Sequence, residues 1–173
     1  NKVNIGGRYM EIIEEFVQHY KKEYDFYEMV SKLVAQQMES SLHEAGIRAI
    51  VTYRAKNPER LLAKLYQRNE ERDSKYSSLD DIYSDICDLS GVRVALYFPK
   101  DRDKVGDIIK ENFTLLEEPK IFPKKKETPN YNKRFSGYWA RHYRVQLKDN
   151  SLQDTQKRYV NSKTEIQVAS VLM

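Results

Sequence analysis

Cysteine is nearly absent from this chain: Cys87 is the only one in 173 residues. A lone thiol excludes an internal disulfide framework and any cysteine-rich zinc site, and it points to a reducing compartment. Long apolar runs are missing as well. No stretch approaches the roughly 18 residues that span a bilayer, and the first residues lack the basic-then-apolar pattern of a secretory leader. Neither an internal repeat nor a low-complexity tract is present. These absences point to a soluble, cytoplasmic protein with no membrane attachment. Charge of one sign is also in short supply, because 30 Lys and Arg face 26 Asp and Glu for a net charge of +4. That mild excess suits phosphate-bearing partners without requiring them. With 40% hydrophobic and 32% charged residues, the whole chain, 1–173, reads as one globular domain able to bury a core.

Apolar residues recur at three- and four-residue steps over 8–43, through Ile13, Phe16, Val17, Tyr20, Tyr24, Tyr27, Val30, Val34, Met38 and Leu42. The spacing predicts one long or two consecutive amphipathic helices, with a break near Asp25. Gly46 is a good stop, because glycine accepts the left-handed conformation of a helix C-cap. The domain thus divides into N-terminal helices, 1–46, and a remainder, 47–173. IRAIVTYRA is β-branched and alternating, so it reads as a strand ending near Lys56. Asn57, Pro58 and Glu59 then open a helix as cap, first-turn proline and early acid. SLDDIYSDICDLS reads as a short helix or turn, and GVRVALYF as a central strand. An amphipathic helix over 99–112 points Val105, Ile108 and Ile109 inward, and FTLLEEP follows as a strand. Residues 119–136, rich in lysine, proline and asparagine, read as a mobile loop. RHYRVQL and EIQVASVL complete the set as strands joined by a polar linker over 148–163. The fold class is α+β, a mixed sheet of about five strands flanked by helices.

Three groups of residues could carry chemistry. Asp88 immediately precedes one strand and Glu165 begins another, so neighbouring strands could bring two carboxylates together, a typical contribution to a magnesium ion carrying nucleotide phosphates. Equally, Asp88 could cap a turn and Glu165 could face solvent; Asp85, one helical turn earlier, reads as a structural or solvent residue. Arg54, Lys56, Arg60 and Lys64 form a basic cluster in which Arg60 and Lys64 share a helix face. It suits a triphosphate, with arginine also able to stack on a base, or it is a solvated basic helix. The third group lies in NKRFSGYWARHYRV, residues 132–145. Tyr138 after Gly137 can lie flat against a nucleobase, and His142 follows four residues later. Otherwise Tyr138 and Trp139 alternate between core and surface, and His142 is a core histidine.

In this order, YRAKNPERLLAK, ICDLSGVRVALYF, RFSGYWARH and EIQVASVLM resemble the four motifs of the synthetase domain of the RelA/SpoT family, the alarmone (ppGpp) synthetases, over 53–173. The resemblance implies a fold related to nucleotidyltransferases. It also implies transfer of the β,γ-pyrophosphate of ATP to the 3′-hydroxyl of a purine nucleotide such as GDP or GTP, with release of AMP. Magnesium is the implied cofactor, held by Asp88 and Glu165, with Glu165 also placed to take the hydroxyl proton. Arg54 and Arg93 match the arginines that sandwich adenine; Lys56 and Lys64 match phosphate-binding positions. Tyr138 matches the platform for the acceptor base, and His142 and Gln167 match residues along the acceptor and phosphate path.

The departures from that pattern fall on the substrates. The family's serine in the first motif is Arg60, which adds a charge near the donor phosphates. Its lysine in the third is Arg134, which favours bidentate phosphate contacts. Its asparagine before Gly-Tyr, which helps read guanine, is Ser136, which lacks an amide's paired donor and acceptor. A later serine is Ala140. The long members' hydrolase domain has a His-Asp pair, whereas the histidines here are His19, His43 and His142 and none precedes an aspartate; the chain resembles the synthetase-only type. Small members continue with helices after the last motif, so the chain's end at Met173 leaves a homo-oligomer open. Two other functions fit less closely: transfer to the 3′ end of tRNA, with the PKKKE and NKR runs tracking the backbone, and a catalytically silent nucleotide-binding module.

Overall fold

A computed structural model describes residues 5–123 and 139–171. Two helices come first, α1 (Ile5–Lys22) and α2 (Tyr24–Glu44). The break falls at Glu23 rather than at Asp25, which sits in the first turn of α2; a carboxylate there favours the positive end of the helix dipole instead of ending a helix. α2 stops as expected. Gly46 adopts φ 70°, and the Ile47 N–H donates to the Leu42 carbonyl at 2.9 Å, the six-to-one bond of a Schellman cap. This cap occupies Ile47, so strand β1 begins only at Ala49 and runs Ala49–Ala55.

Asn57 caps α3 (Pro58–Glu71), its side chain accepting from the N–H groups of Glu59 and Arg60. Ser78 opens α4 (Leu79–Asp85) through a capping box with Asp81. Strand β2 (Ser90–Leu96) leads through a 3-10 turn, Pro99–Asp101, into α5 (Arg102–Asn112). Strand β3 is only Phe113–Leu115. The expected mobile loop over 119–136 is overturned at its start, where β4 (Lys120–Phe122) pairs with β5 (Ala140–Leu147). Three residues between two prolines are too few for alternation to register in sequence. The linker over 148–163 holds two 3-10 turns and buries Leu152 and Tyr159 before β6 (Thr164–Ser170).

Among the described residues the sheet therefore has six strands, ordered β1-β2-β6-β5-β3 with β4 also on β5. Of these strands β2 and β6 run parallel, and the other described pairs are antiparallel. Even-numbered residues of β2 and β6 (Val92, Val94, Ile166, Val168) and odd-numbered residues of β5 (Tyr143, Val145) pack against α2 and α5 with Val34, Met38, Val105 and Ile109. Each such side chain contributes about 1.5–3 kcal/mol by leaving water. A second apolar cluster joins α1 to α3 and α4 through Ile13, Phe16, Tyr20, Leu61, Leu65, Tyr76 and Ile82. The other face of the sheet, carrying Arg54, Arg93, Glu165, Gln167, His142 and Arg144 by strand alternation, has no helix packed over it among the described residues. No helix among them is long and apolar enough to cross a membrane.

Candidate active site

Alternation places the polar residues of four strands side by side on that face. Thr52 pairs with Arg93 and Arg54 with Gly91, so the two arginines are diagonal neighbours across β1 and β2. Across the parallel ladder Gly91 meets Glu165 and Arg93 meets Gln167. Across the antiparallel one Gln167 meets His142 and Glu165 meets Arg144. Arg54, Lys56, Asp88, Arg93, Glu165 and Gln167 line one cleft of about 270 Å³.

Asp88 does not belong to a strand. It sits between α4 and β2, and its position is set by backbone pairing that continues one step past β1: the Lys56 N–H donates to the Leu89 carbonyl at 2.9 Å. The buried Tyr20 hydroxyl of α1 donates to the Lys56 carbonyl at 2.6 Å, tying the N-terminal helices to this corner. Asp88 Oδ2 accepts from Lys56 Nζ and from Lys64 Nζ, both at 2.8 Å. Burial opposes ionisation of Asp88, but hydrogen bonds and charge from the two lysines outweigh it and hold the carboxyl below its ordinary value. Its other oxygen, Oδ1, is buried with no hydrogen-bond partner. A buried acceptor left without a donor is costly, and it is what a site kept for a ligand looks like.

Glu165 is a buried residue of β6. Gln167 Nε2 donates to its Oε1 at 3.0 Å, and His142 Nδ1 lies 3.6 Å from the same oxygen. On its second oxygen, Oε2, Arg144 Nε stands 3.9 Å away. Burial lowers the His142 pKa, opposed by Glu165 and aided by Lys120, Arg144 and Arg93, which favours the neutral imidazole. The Phe122 ring lies over it at a centroid distance of 4.6 Å.

Of the residues singled out by sequence, Arg54, Lys56, Asp88, Arg93, Glu165 and Gln167 come together, with Lys64 and His142 in contact with the carboxylates. Arg60 is exposed on the first turn of α3 and is not among the residues lining the cleft. Arg134, Ser136 and Tyr138 lie outside the described residues. Asp85, expected to be a structural or solvent residue, takes the structural role, bound by Arg68 and Tyr76. Sequence reading missed Thr52 and Tyr53 in the cleft and Phe122, Lys120 and Arg144 beside His142. Arg144 was within reach, since a residue two after His142 in a strand must share its face.

Two carboxylates, two lysines and two exposed arginines around one cleft suit a polyphosphate and a divalent cation. The orphaned Asp88 Oδ1 and the hard oxygen donors of Asp88 and Glu165 fit magnesium, which keeps water and substrate oxygens in its remaining positions. Among the described residues no group of three or more His, Cys, Asp or Glu side chains is placed to hold a metal ion.

A family model described as a region found in RelA / SpoT proteins matches residues 53–173. Among solved structures, a GTP pyrophosphokinase family protein from Streptococcus pneumoniae is similar at TM-score 0.55 and 20% identity, over 87% of this chain and 68% of that one. The small alarmone synthetase 1 from Bacillus subtilis is similar at TM-score 0.56 and 18% identity, over 87% and 70%. At those identities the likeness shows the fold. No curated protein matches the chain.

Proposed function

The chain belongs to the RelA/SpoT family, and from that premise we propose that it is a cytoplasmic nucleotide 3′-pyrophosphokinase that makes an alarmone of the (p)ppGpp kind. The acceptor 3′-hydroxyl attacks the β-phosphorus of ATP, the bond from that phosphorus to the α,β-bridging oxygen breaks, and AMP leaves. The hydroxyl proton passes to Glu165. The observation that carries the reading is Asp88, clamped through one oxygen by Lys56 and Lys64 with the other buried and unpartnered, in the same cleft as Glu165.

Asp88 and Glu165 would hold magnesium, which would supply positive charge beside the triphosphate. Arg54 and Arg93 take the adenine between them, and Lys56 and Lys64 exchange part of their pairing with Asp88 for phosphate oxygens. Gln167 keeps one Glu165 oxygen in place. His142, neutral, donates a hydrogen bond to acceptor or transferred phosphate without adding charge. Tyr138 stacks on the acceptor base, Arg134 binds its phosphates, and Ser136 replaces the amide that would read guanine. Since phosphoryl centres already carry negative charge, positioning and cations supply most of the rate, and a base near the hydroxyl supplies the rest.

The test is label transfer. The protein with magnesium and β-labelled ATP is offered GDP, GTP, GMP, ADP, AMP and bulk tRNA in turn, with Glu165→Ala as control. Label on one free nucleotide, and none with the variant, supports the reading. Label on tRNA moves the acceptor to RNA, and label on nothing refutes the enzyme. As a further arm, Ser136→Asn is expected to raise the guanine-to-adenine acceptor ratio, and an unchanged ratio removes Ser136 from specificity.

A further inference from the structure

One cation on the open face is not used by the reaction above. Arg144 lies in β5 two residues beyond His142, and the ladder sets it directly opposite Glu165. One edge of its guanidinium is anchored, with Nη1 2.8 Å from Glu117 Oε1. The segment carrying Glu117 is tied to β5, because the neighbouring Leu116 N–H donates to the Arg144 carbonyl at 2.9 Å, and Lys120 Nζ lies 4.0 Å from the same Glu117 oxygen. The other edge faces the candidate base: Arg144 Nε is 3.9 Å from Glu165 Oε2, and that Nε is buried without a hydrogen-bond partner. Glu165 Oε1 is held separately by Gln167. The two oxygens of one carboxylate are thus governed by different groups, one along its own strand and one across the ladder.

The approach to Glu165 Oε2 is about 1 Å longer than an N–H···O hydrogen bond, while the planar fork of arginine can serve two carboxylates at once. We propose that Arg144 is a positioning residue for Glu165, aimed by Glu117. As substrates fill the cleft, the Arg144 Nε–H closes onto Oε2 and keeps the carboxylate turned toward the acceptor hydroxyl. Arg144 stays protonated throughout and neither gives nor takes a proton. The inference rests on Glu165 being the proton acceptor.

The test uses the full chain carrying Arg144→Gln, Arg144→Lys, Glu117→Gln or Glu117→Gln with Arg144→Gln. Steady-state transfer is measured with the acceptor found by label, and binding of α,β-methylene ATP by calorimetry. Arg144→Gln is expected to lower kcat roughly 10–100-fold, as loss of a partner of a metal-binding or catalytic side chain does. Both KM values and the analogue's affinity should stay within about threefold, since the lost contact is to the enzyme and not to substrate. Arg144→Lys recovers part of the loss, Glu117→Gln costs less than Arg144→Gln, and the double variant is no slower than Arg144→Gln alone. An unchanged kcat overturns the proposal, as does a weakened KM or analogue affinity at unchanged kcat, which makes Arg144 a substrate contact. Additive losses in the double variant overturn the part given to Glu117. A wild-type chain that transfers label to no acceptor overturns the functional reading and this inference together. An active wild type with an indifferent Arg144→Gln overturns the inference alone.

Discussion

Asp85 at the end of α4 and Asp88 at the cleft are three residues apart, and the fold surrounds them in opposite ways. Arg68 Nη1 donates to Asp85 Oδ2 at 2.9 Å, the Tyr76 hydroxyl donates to the same oxygen, and Arg72 Nη1 lies 3.3 Å from Oδ1. Both oxygens are engaged. Asp88 has two lysines on Oδ2 and none on Oδ1. Both carboxyls are held below the ordinary aspartate value against opposing burial, Asp85 by Tyr76, Arg68 and Arg72, and Asp88 by Lys56 and Lys64. The direction of a pKa shift therefore does not tell the two environments apart. What distinguishes them is a buried lone pair left open toward a cleft, because only that can exchange into a ligand without breaking the fold.

The sharpest way to break this comparison is Asp88→Asn. It should reduce pyrophosphate transfer by at least about a hundredfold, far more than the accompanying fall in melting temperature as Lys56 and Lys64 lose a charged partner can account for. A large melting shift with retained transfer would reverse the assignment. Asp85→Asn should do the opposite, costing about 2 kcal/mol by unpairing a partly buried network. For a chain of this size that is a fall of roughly 4–8 °C in Tm, with transfer per folded molecule within about threefold.

The pH dependence follows with its sign. Because the folded-state pKa of Asp85 lies below its ordinary 3.8, the unfolded chain takes up protons first as pH falls. Its contribution is complete above that ordinary value and is lost as pH drops through the lower folded one. The Tm gap between wild type and Asp85→Asn should be flat from about pH 7 to 5 and close below about pH 4; a gap that widens in acid would contradict the sign. Smallest is Tyr20→Phe, which removes the hydroxyl under Lys56 at about 1 kcal/mol. If it slows transfer more than Asp85→Asn does, the clamp on Asp88 depends on α1, which lies outside the 53–173 region that matches the family.

Long periodic segments were legible in the sequence. α1, α2, α3 and α5, and strands β1, β2, β5 and β6, all lie where periodicity, the Asn57 cap and Gly46 placed them, to within two or three residues. β4 was not legible, because Lys120–Phe122 becomes a strand only through pairing with Ala140–Leu147. The 3-10 turns after β5 were likewise hidden in a stretch read by its polarity, although Tyr159 anchors it in the core. Around the cleft, the residues of YRAK, DLSGVR, RH and EIQ that gather there had been singled out by their motifs. Glu117 was not, since a glutamate in a loop acquires meaning only from the arginine it meets.

By itself the sequence determined which residue types are available and which share a face. The alternation of Arg54, Arg93, Glu165, Gln167 and His142 within their strands puts each on one side by the two-residue period of extended backbone. Tertiary structure decided which strand lies beside which, and hence that Gly91 leaves room between Arg54 and Glu165 while Arg144 stands opposite Glu165. It also decided the difference between Asp85 and Asp88. Local sequence cannot encode how many donors reach a carboxylate when those donors arrive from Arg68, Tyr76, Lys56 and Lys64 on separately folded elements, and that number makes one a structural tie and leaves the other open to a ligand.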